Sequence, residues 1–146
     1  MQDLLLEVLS HYGLSEIDGS QSNPEILEFF KELGYDWVKD DSTTSWCSAM
    51  LSYYAKKCGY EYSKTLDARS WLNMPIHVMK PAMGDIVVLW RNNPASWEGH
   101  VGILIGYGEN KVYLLGGNQG NTINISAYPS GRILGMRRLK KANDTV

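Results

Sequence analysis

Apolar residues recur at helical spacing through the first half of the chain and gather in short β-rich runs through the second. Leu5, Leu6, Val8 and Leu9 mark an amphipathic helix over residues 2–12, ended by Gly13. After the polar loop "GSQSN", the segment "NPEILEFFKELG" carries helix signals at both ends. Asn23 is placed to cap, Pro24 suits the first turn, Glu25 favours the positive end and Gly34 stops the pattern. A second polar loop, "DDSTTS", leads into the cleanest pattern in the chain. Positions i, i+3, i+4, i+7, i+8 and i+11 from Cys47 are Cys47, Met50, Leu51, Tyr54, Ala55 and Cys58. Ser48, Ser52, Lys56 and Lys57 fall on other faces, and Gly59 follows. The stripe predicts a helix with Cys47 in its first turn, on the buried side. "TLDARSWLN" (65–73) predicts one more short helix.

The period then changes. "GDIVVLW" (84–90), "HVGILIGY" (100–107), "KVYLLGG" (111–117), "TINISAY" (122–128) and "RILGMRRL" (132–139) are short β-rich runs separated by Gly, Asn and Pro at hairpin distances. Helices followed by a meander of strands predict an α+β fold, with N-terminal helices packed on one side of a C-terminal antiparallel sheet. Within the strand from His100, Val101, Ile103, Ile105 and Tyr107 share one face, and His100, Gly102, Leu104 and Gly106 share the other. The second face is smooth, which invites close approach of a helix backbone. The expectation is that the Cys47 helix packs there with its start over His100.

Composition narrows the classes. A chain of 146 residues fits one domain. The net charge is −2, and the one basic cluster, Arg137, Arg138, Lys140 and Lys141, is too short to argue for nucleic acid. No apolar run approaches a membrane-spanning length, so no membrane insertion is expected. "MQDLLLEVLSHYG" lacks the basic start and cleavage site of a secretory signal. The expectation is synthesis in the cytoplasm, with another route if the protein acts outside the producing cell. Cys47 and Cys58, eleven residues apart on one helix, would be about 16 Å apart along its axis. A disulfide needs Cα atoms within about 7 Å, so this pair does not bridge within a monomer. Two cysteines without supporting histidines make a poor zinc site, so no metal and no cofactor is expected.

Cys47 and His100 together suggest nucleophilic chemistry. A free thiol with a pKa of about 8.5 is mostly protonated at neutral pH. The positive end of a helix and a neighbouring imidazolium both lower that value. A third polar group commonly orients such a histidine. Asn118, eighteen residues on, returns beside His100 on the adjacent strand, where its oxygen could accept from the far ring nitrogen. Trp46 and Trp97 stand next to the reactive pair as candidates for a sugar- or peptide-contacting rim. Packing is the competing reading for each of these. Cys58 reads as core, Asn118 in "GGNQGN" suits a turn, and Trp71 and Trp90 suit the interior. His11 and His77 have no supporting pattern, Asp40–Asp41 reads as helix-entry loop, and "GYGENK" has the wrong spacing to cradle phosphate.

Six blocks in order, "SWCSAM", "ARSWL", "GDIVVLW", "GHVGILIG", "LLGGNQGN" and "RILGMRR", resemble the successive motifs of the NlpC/P60 and CHAP cysteine peptidases. The likeness is to a small CHAP-like subgroup with WCSA, ARSW and GGNQ blocks, and runs from about Asn23 to Arg138. It implies a papain-like fold in a single catalytic domain, residues 1–146, with 1–22 a helical extension and 23–140 the core. It implies that Cys47 is the nucleophile, His100 the base and Asn118 the third residue, with Gln119 the competing choice. Trp46, Ser48, Trp97 and Gln119 are the expected substrate contacts. The family resemblance further implies a monomeric hydrolase of bacterial peptidoglycan, an endopeptidase of the stem peptide or an N-acetylmuramoyl-L-alanine amidase, acting at the cell wall or periplasm. Lacking a wall-binding repeat and a signal, it fits a phage-type lysin or a delivered antibacterial effector, the latter with a proteinaceous inhibitor as partner. One departure is "PAMGD", where relatives often place proline just before the glycine. The alternatives are a non-catalytic wall-binding module, a partner-binding domain using its aromatic surface, and a cysteine acyltransferase or deamidase acting on a protein.

Overall fold

The computed structural model of the protein describes residues 2–16, 22–35, 37 and 45–142. Asp40–Asp41 and most of the "GSQSN" and "DDSTTS" loops lie outside them. Three α-helices come first: α1 (Gln2–Leu9), α2 (Pro24–Glu32) and α3 (Cys47–Lys57). A 3-10 helix, Ala68–Asn73, stands where the short fourth helix was expected. Five strands follow: β1 (Ile86–Trp90), β2 (Gly99–Tyr107), β3 (Lys111–Gly116), β4 (Asn124–Pro129) and β5 (Ile133–Arg137). They form one antiparallel sheet in the order β4-β3-β2-β1-β5. The fold is α+β, as the change of period predicts.

Local signals account for the helices. Asn23 Oδ1 accepts from the Glu25 N–H at 2.9 Å, so the predicted cap of α2 forms. Ile26, Phe29 and Phe30 of α2 are buried against α3. Phe29 sits among Trp46, Tyr53 and Tyr54, with ring centroids 5.1–6.2 Å away. The α3 stripe is buried from Cys47 to Ala55, with Cys58 only half-buried, and Ser48, Ala49 and Ser52 are buried as well. The reason is position: α3 packs against α1, α2 and the sheet, so it has little solvent face. Leu4, Leu5 and Val8 of α1 join the same core.

The sheet coils strongly. β4 and β5 lie at opposite edges, yet only Ser130–Arg132 separates them. The path from Pro129 to Ile133 reaches at most about 15 Å, at about 3.8 Å per residue. In a flat five-stranded sheet the edges would be about 19 Å apart. The edges therefore curl towards each other. This explains a second apolar cluster, Val87, Leu89, Leu104, Val112 and Leu114, covered by Tyr128, Ile133 and Met136 on the sheet face away from the helices.

Coiling also corrects the packing expected for β2. The helices lie on the Val101–Ile103 face, whose side chains share their core. The glycine-bearing face turns into the coil. A Cβ at Gly102 would meet Leu114 Cβ at 3.0 Å, so the smooth surface admits a neighbouring strand's side chain, not a helix. At the foot of β1, buried Asp85 accepts two hydrogen bonds from the Arg138 guanidinium, at 2.7 and 2.9 Å, and one from the Ala82 N–H. That ion pair explains the "GD" and "MRR" blocks as structural.

Candidate active site

Cys47 is the first residue of α3, and Trp46 before it supplies no side-chain cap. The first N–H groups of the helix are thus left by the described residues without a capping oxygen, at the positive end of the helix. The Cys47 side chain is 2% exposed but lines a cleft of about 130 Å³, bounded by Ser45, Leu66, Asp67, Arg91, Trp97 and Glu98. A larger cleft, about 440 Å³, is lined by Tyr60, Tyr62 and Met74 and contains none of the candidate chemistry.

His100, one residue into β2, meets the thiol. The two come together at the end of the sheet where β2 begins, not across the glycine face. Burial is the largest influence on the Cys47 thiol and pushes its pKa up. The charge and hydrogen bond of His100, a backbone hydrogen bond from Val101 and the Ser45 hydroxyl together outweigh burial and bring it down to about 7. Ser45 Oγ is 3.9 Å from Cys47 Sγ.

Gln119, not Asn118, holds the imidazole. Gln119 Oε1 lies 2.9 Å from His100 Nε2. The Gln119 amide nitrogen donates to the Leu114 carbonyl at 3.1 Å and to the Asn124 carbonyl and Oδ1 at 2.8 and 2.9 Å. Those neighbours are acceptors, so the nitrogen belongs there and the oxygen must face the ring. An oxygen accepts only from a protonated Nε2. The neutral ring therefore keeps its lone pair on Nδ1, the nitrogen left for the sulfur. Asn124 Nδ2 returns a bond to the Gln119 carbonyl at 2.8 Å, closing a reciprocal pair. Gln119 is 4% exposed, so its surroundings do not suit the substrate contact also expected of it.

Asn118 is one residue away but points elsewhere. Its φ is 58°, a left-handed conformation, and its Nδ2 donates to Ser45 Oγ at 3.3 Å. It acts on the thiol's neighbour, not on the imidazole. The turn itself is braced by the N-terminal segment: backbone bonds join Gly13 to Ile123, Leu14 to Ile123 and Glu16 to Asn121. Gly116 makes room for the pair, since a Cβ there would lie 2.6 Å from Gln119 Oε1 and 3.5 Å from His100 Nε2.

Two expected rim residues are interior. Trp46 is fully buried, its indole N–H donating to Glu16 at 2.8 Å and its ring against Gly117, where a Cβ would come within 2.7 Å. Ser48 is 1% exposed, donates to the Thr65 carbonyl and accepts from the Trp71 indole. Neither reaches substrate. Trp97 does face solvent, 76% exposed at the cleft. Its loop is clamped by Arg69, whose guanidinium donates to the carbonyls of Glu98, Pro94 and Asn93 at 2.7–3.2 Å. That gives the arginine of "ARSW" a structural task.

Tyr128 of β4 was not anticipated. Its hydroxyl is 3.3 Å from His100 Nε2 and its ring lies 5.3 Å from the imidazole, tilted 40°. Arg132 sits over the rings of both Tyr128 and Trp90 and holds them. Burial pushes the Tyr128 hydroxyl up to about 12, so it stays neutral and offers Nε2–H a second acceptor. Its only sequence signal is a place on the strand that follows the "GGNQ" turn, four pairings beyond the Gly116–Asn124 pair. His11 stacks on Tyr54 and His77 bridges to Arg137, neither beside Cys47. Among the described residues no three His, Cys, Asp or Glu side chains gather as a metal site.

No family model and no curated protein matches the sequence. Among solved structures the fold is similar to that of a protein described as similar to lipoprotein, NLP/P60 family, from Staphylococcus aureus subsp. aureus Mu50. The TM-score is 0.54 at 19% identity, over 94% of this chain. The chain spans 40% of the length of that protein. The likeness shows that the α+β architecture is one an NlpC/P60 protein also adopts.

Proposed function

We propose that the protein is a cysteine hydrolase that cleaves an amide bond of bacterial peptidoglycan, as an endopeptidase of the stem peptide or an amidase between glycan and peptide. One observation carries this reading: a thiol at a helix start, an imidazole against it and an amide oxygen on the far ring nitrogen, at the edge of a cleft. The wall peptide as substrate class comes from the motif resemblance to the NlpC/P60 and CHAP peptidases, and the fold shared with an NLP/P60 protein supports that reading.

The chemistry follows from the geometry. The Cys47 thiolate attacks the scissile carbonyl carbon. The Cys47 N–H, at the positive end of α3, donates to the oxyanion that forms. Imidazolium Nδ1–H protonates the departing amine, the C–N bond breaks and a thioester remains. Neutral Nδ1 then takes a proton from water, whose oxygen attacks the thioester. The carboxylic acid leaves and the thiolate–imidazolium pair is restored. Gln119 keeps the ring aligned throughout, and Trp97 offers a flat apolar surface beside the bond. The protein acts in this reading at the cell wall, as a phage-type lysin or a delivered effector countered by an inhibitor protein.

Incubation with defined muropeptides, with products identified by mass spectrometry, tests the proposal. The protein is expected to open one bond, giving a new amine and a new carboxyl end, and Cys47→Ala none. No cleavage by the parent, or equal cleavage by the variant, contradicts it.

A further inference from the structure

The cleft beside Cys47 is polar, and its charges are unevenly committed. Asp67 Oδ1 accepts from the Arg69 N–H at 3.0 Å and caps the 3-10 helix. Glu98 Oε1 accepts from Asn92 Nδ2 and from the Ser96 hydroxyl. The Arg69 guanidinium is occupied by three backbone carbonyls. Arg91 differs. It lines the same cleft, is exposed, and its guanidinium has no ion pair or hydrogen bond among the described residues. Its backbone is fixed, with the N–H bonded to the Glu98 carbonyl and the carbonyl accepting from Asn93. The Arg69 clamp holds the rest of that loop. A guanidinium without a protein acceptor among the described residues, carried on a fixed backbone beside a cleft that ends at the nucleophile, presents a planar fork of N–H donors matched to a carboxylate.

We infer that Arg91 binds a free carboxylate on a substrate residue flanking the scissile amide, so that the cleft selects acidic peptides over their amidated counterparts. The inference rests on the reading of Cys47 as the nucleophile and names a specificity-determining residue for it. Amidation removes one oxygen acceptor and the negative charge, leaving a fork that can make at most one good hydrogen bond.

Alkylation separates this inference from the reading beneath it. Iodoacetate and iodoacetamide deliver the same carbon to sulfur, breaking C–I and forming C–S. They differ in carrying a carboxylate or a neutral amide. The ratio of their rates at Cys47 is measured by peptide mass spectrometry in the parent, Arg91→Gln and Lys111→Gln, with Cys58 as internal reference. Lys111 begins β3 and does not line the cleft, so its variant controls for lost net charge. The expected result is a fall of about tenfold in the iodoacetate-to-iodoacetamide ratio at Cys47 in Arg91→Gln only. The iodoacetamide rate at Cys47 serves as the denominator, so a change in thiolate fraction common to both reagents cancels from the ratio. An unchanged ratio in Arg91→Gln, or an equal fall in Lys111→Gln, overturns the inference and leaves the nucleophile standing. A Cys47 no more reactive than Cys58 towards iodoacetamide overturns the hydrolase reading itself, and this inference with it.

Discussion

Cys47 begins α3 and Cys58 caps its other end, so one helix carries the same side chain at both poles. Burial pushes both thiols up. Cys58 has nothing to reverse that: the carboxylates of Asp3 and Glu7 add to the rise, and the cations of Lys141 and Lys57 offset only part of it. Cys47 is the more buried of the two, yet its thiol is brought down to about 7. The difference comes from what each sulfur faces. Cys47 has an imidazole, a backbone N–H and the positive end of the helix; Cys58 has carboxylates and the negative end. A buried cysteine is inert or reactive according to its neighbours, and no amount of burial alone makes it a nucleophile.

The strongest way to break this comparison is to remove each sulfur in turn. Cys47→Ala should lower hydrolysis by about 10⁴-fold or more with little change in stability. Cys58→Ala should keep its activity and lose about 1 kcal/mol of stability, read by thermal unfolding. Similar activity in the two variants would put the chemistry elsewhere.

The next contrast is between the two adjacent polar residues of the "GGNQ" turn. Gln119→Ala should cost about 100-fold in kcat, because the imidazole loses the acceptor that sets its tautomer. Asn118→Gly, which keeps the left-handed backbone and removes only the bond to Ser45, should cost less than about fivefold. The reverse order would return the third position to Asn118.

The smallest effect lies inside α3. The Ser52 hydroxyl is buried and has no hydrogen-bond partner among the described residues. Ser52→Ala should raise stability by about 1 kcal/mol in denaturant unfolding and leave activity unchanged. A loss of stability would mean the hydroxyl is satisfied.

Much of this was readable along the chain. Short β-rich runs bounded by Gly, Asn and Pro placed every strand, and helical stripes placed the three α-helices, to within a few residues, because both patterns reflect which side chains meet the core. The pairing of Cys47 with His100 was also anticipated, though through the wrong contact. Alternation divides β2 into two faces but does not say which one the helices cover. The glycine face went inward because the sheet coils, a property of the short β4–β5 link and not of β2 itself. Asn118 and Gln119 differ by one position, and the choice between them turns on a left-handed φ and on two carbonyls that reach the site from β3 and β4. Trp46 looked like a rim residue because it neighbours Cys47 in sequence. At a helix start, one residue is enough to point a side chain into the core instead.

The central claim is that His100 is what makes Cys47 acidic. The direct measurement is the rate of iodoacetamide alkylation at each cysteine against pH, in the parent and in His100→Ala. Thiolate appears as pH rises through the pKa, so Cys47 in the parent should show a midpoint near 7 and Cys58 one above the ordinary thiol range. In His100→Ala burial remains while the imidazolium is gone, and the Cys47 midpoint should move up past neutral by at least a full pH unit. A Cys47 midpoint that stays in place without His100, or that coincides with Cys58 in the parent, contradicts the account.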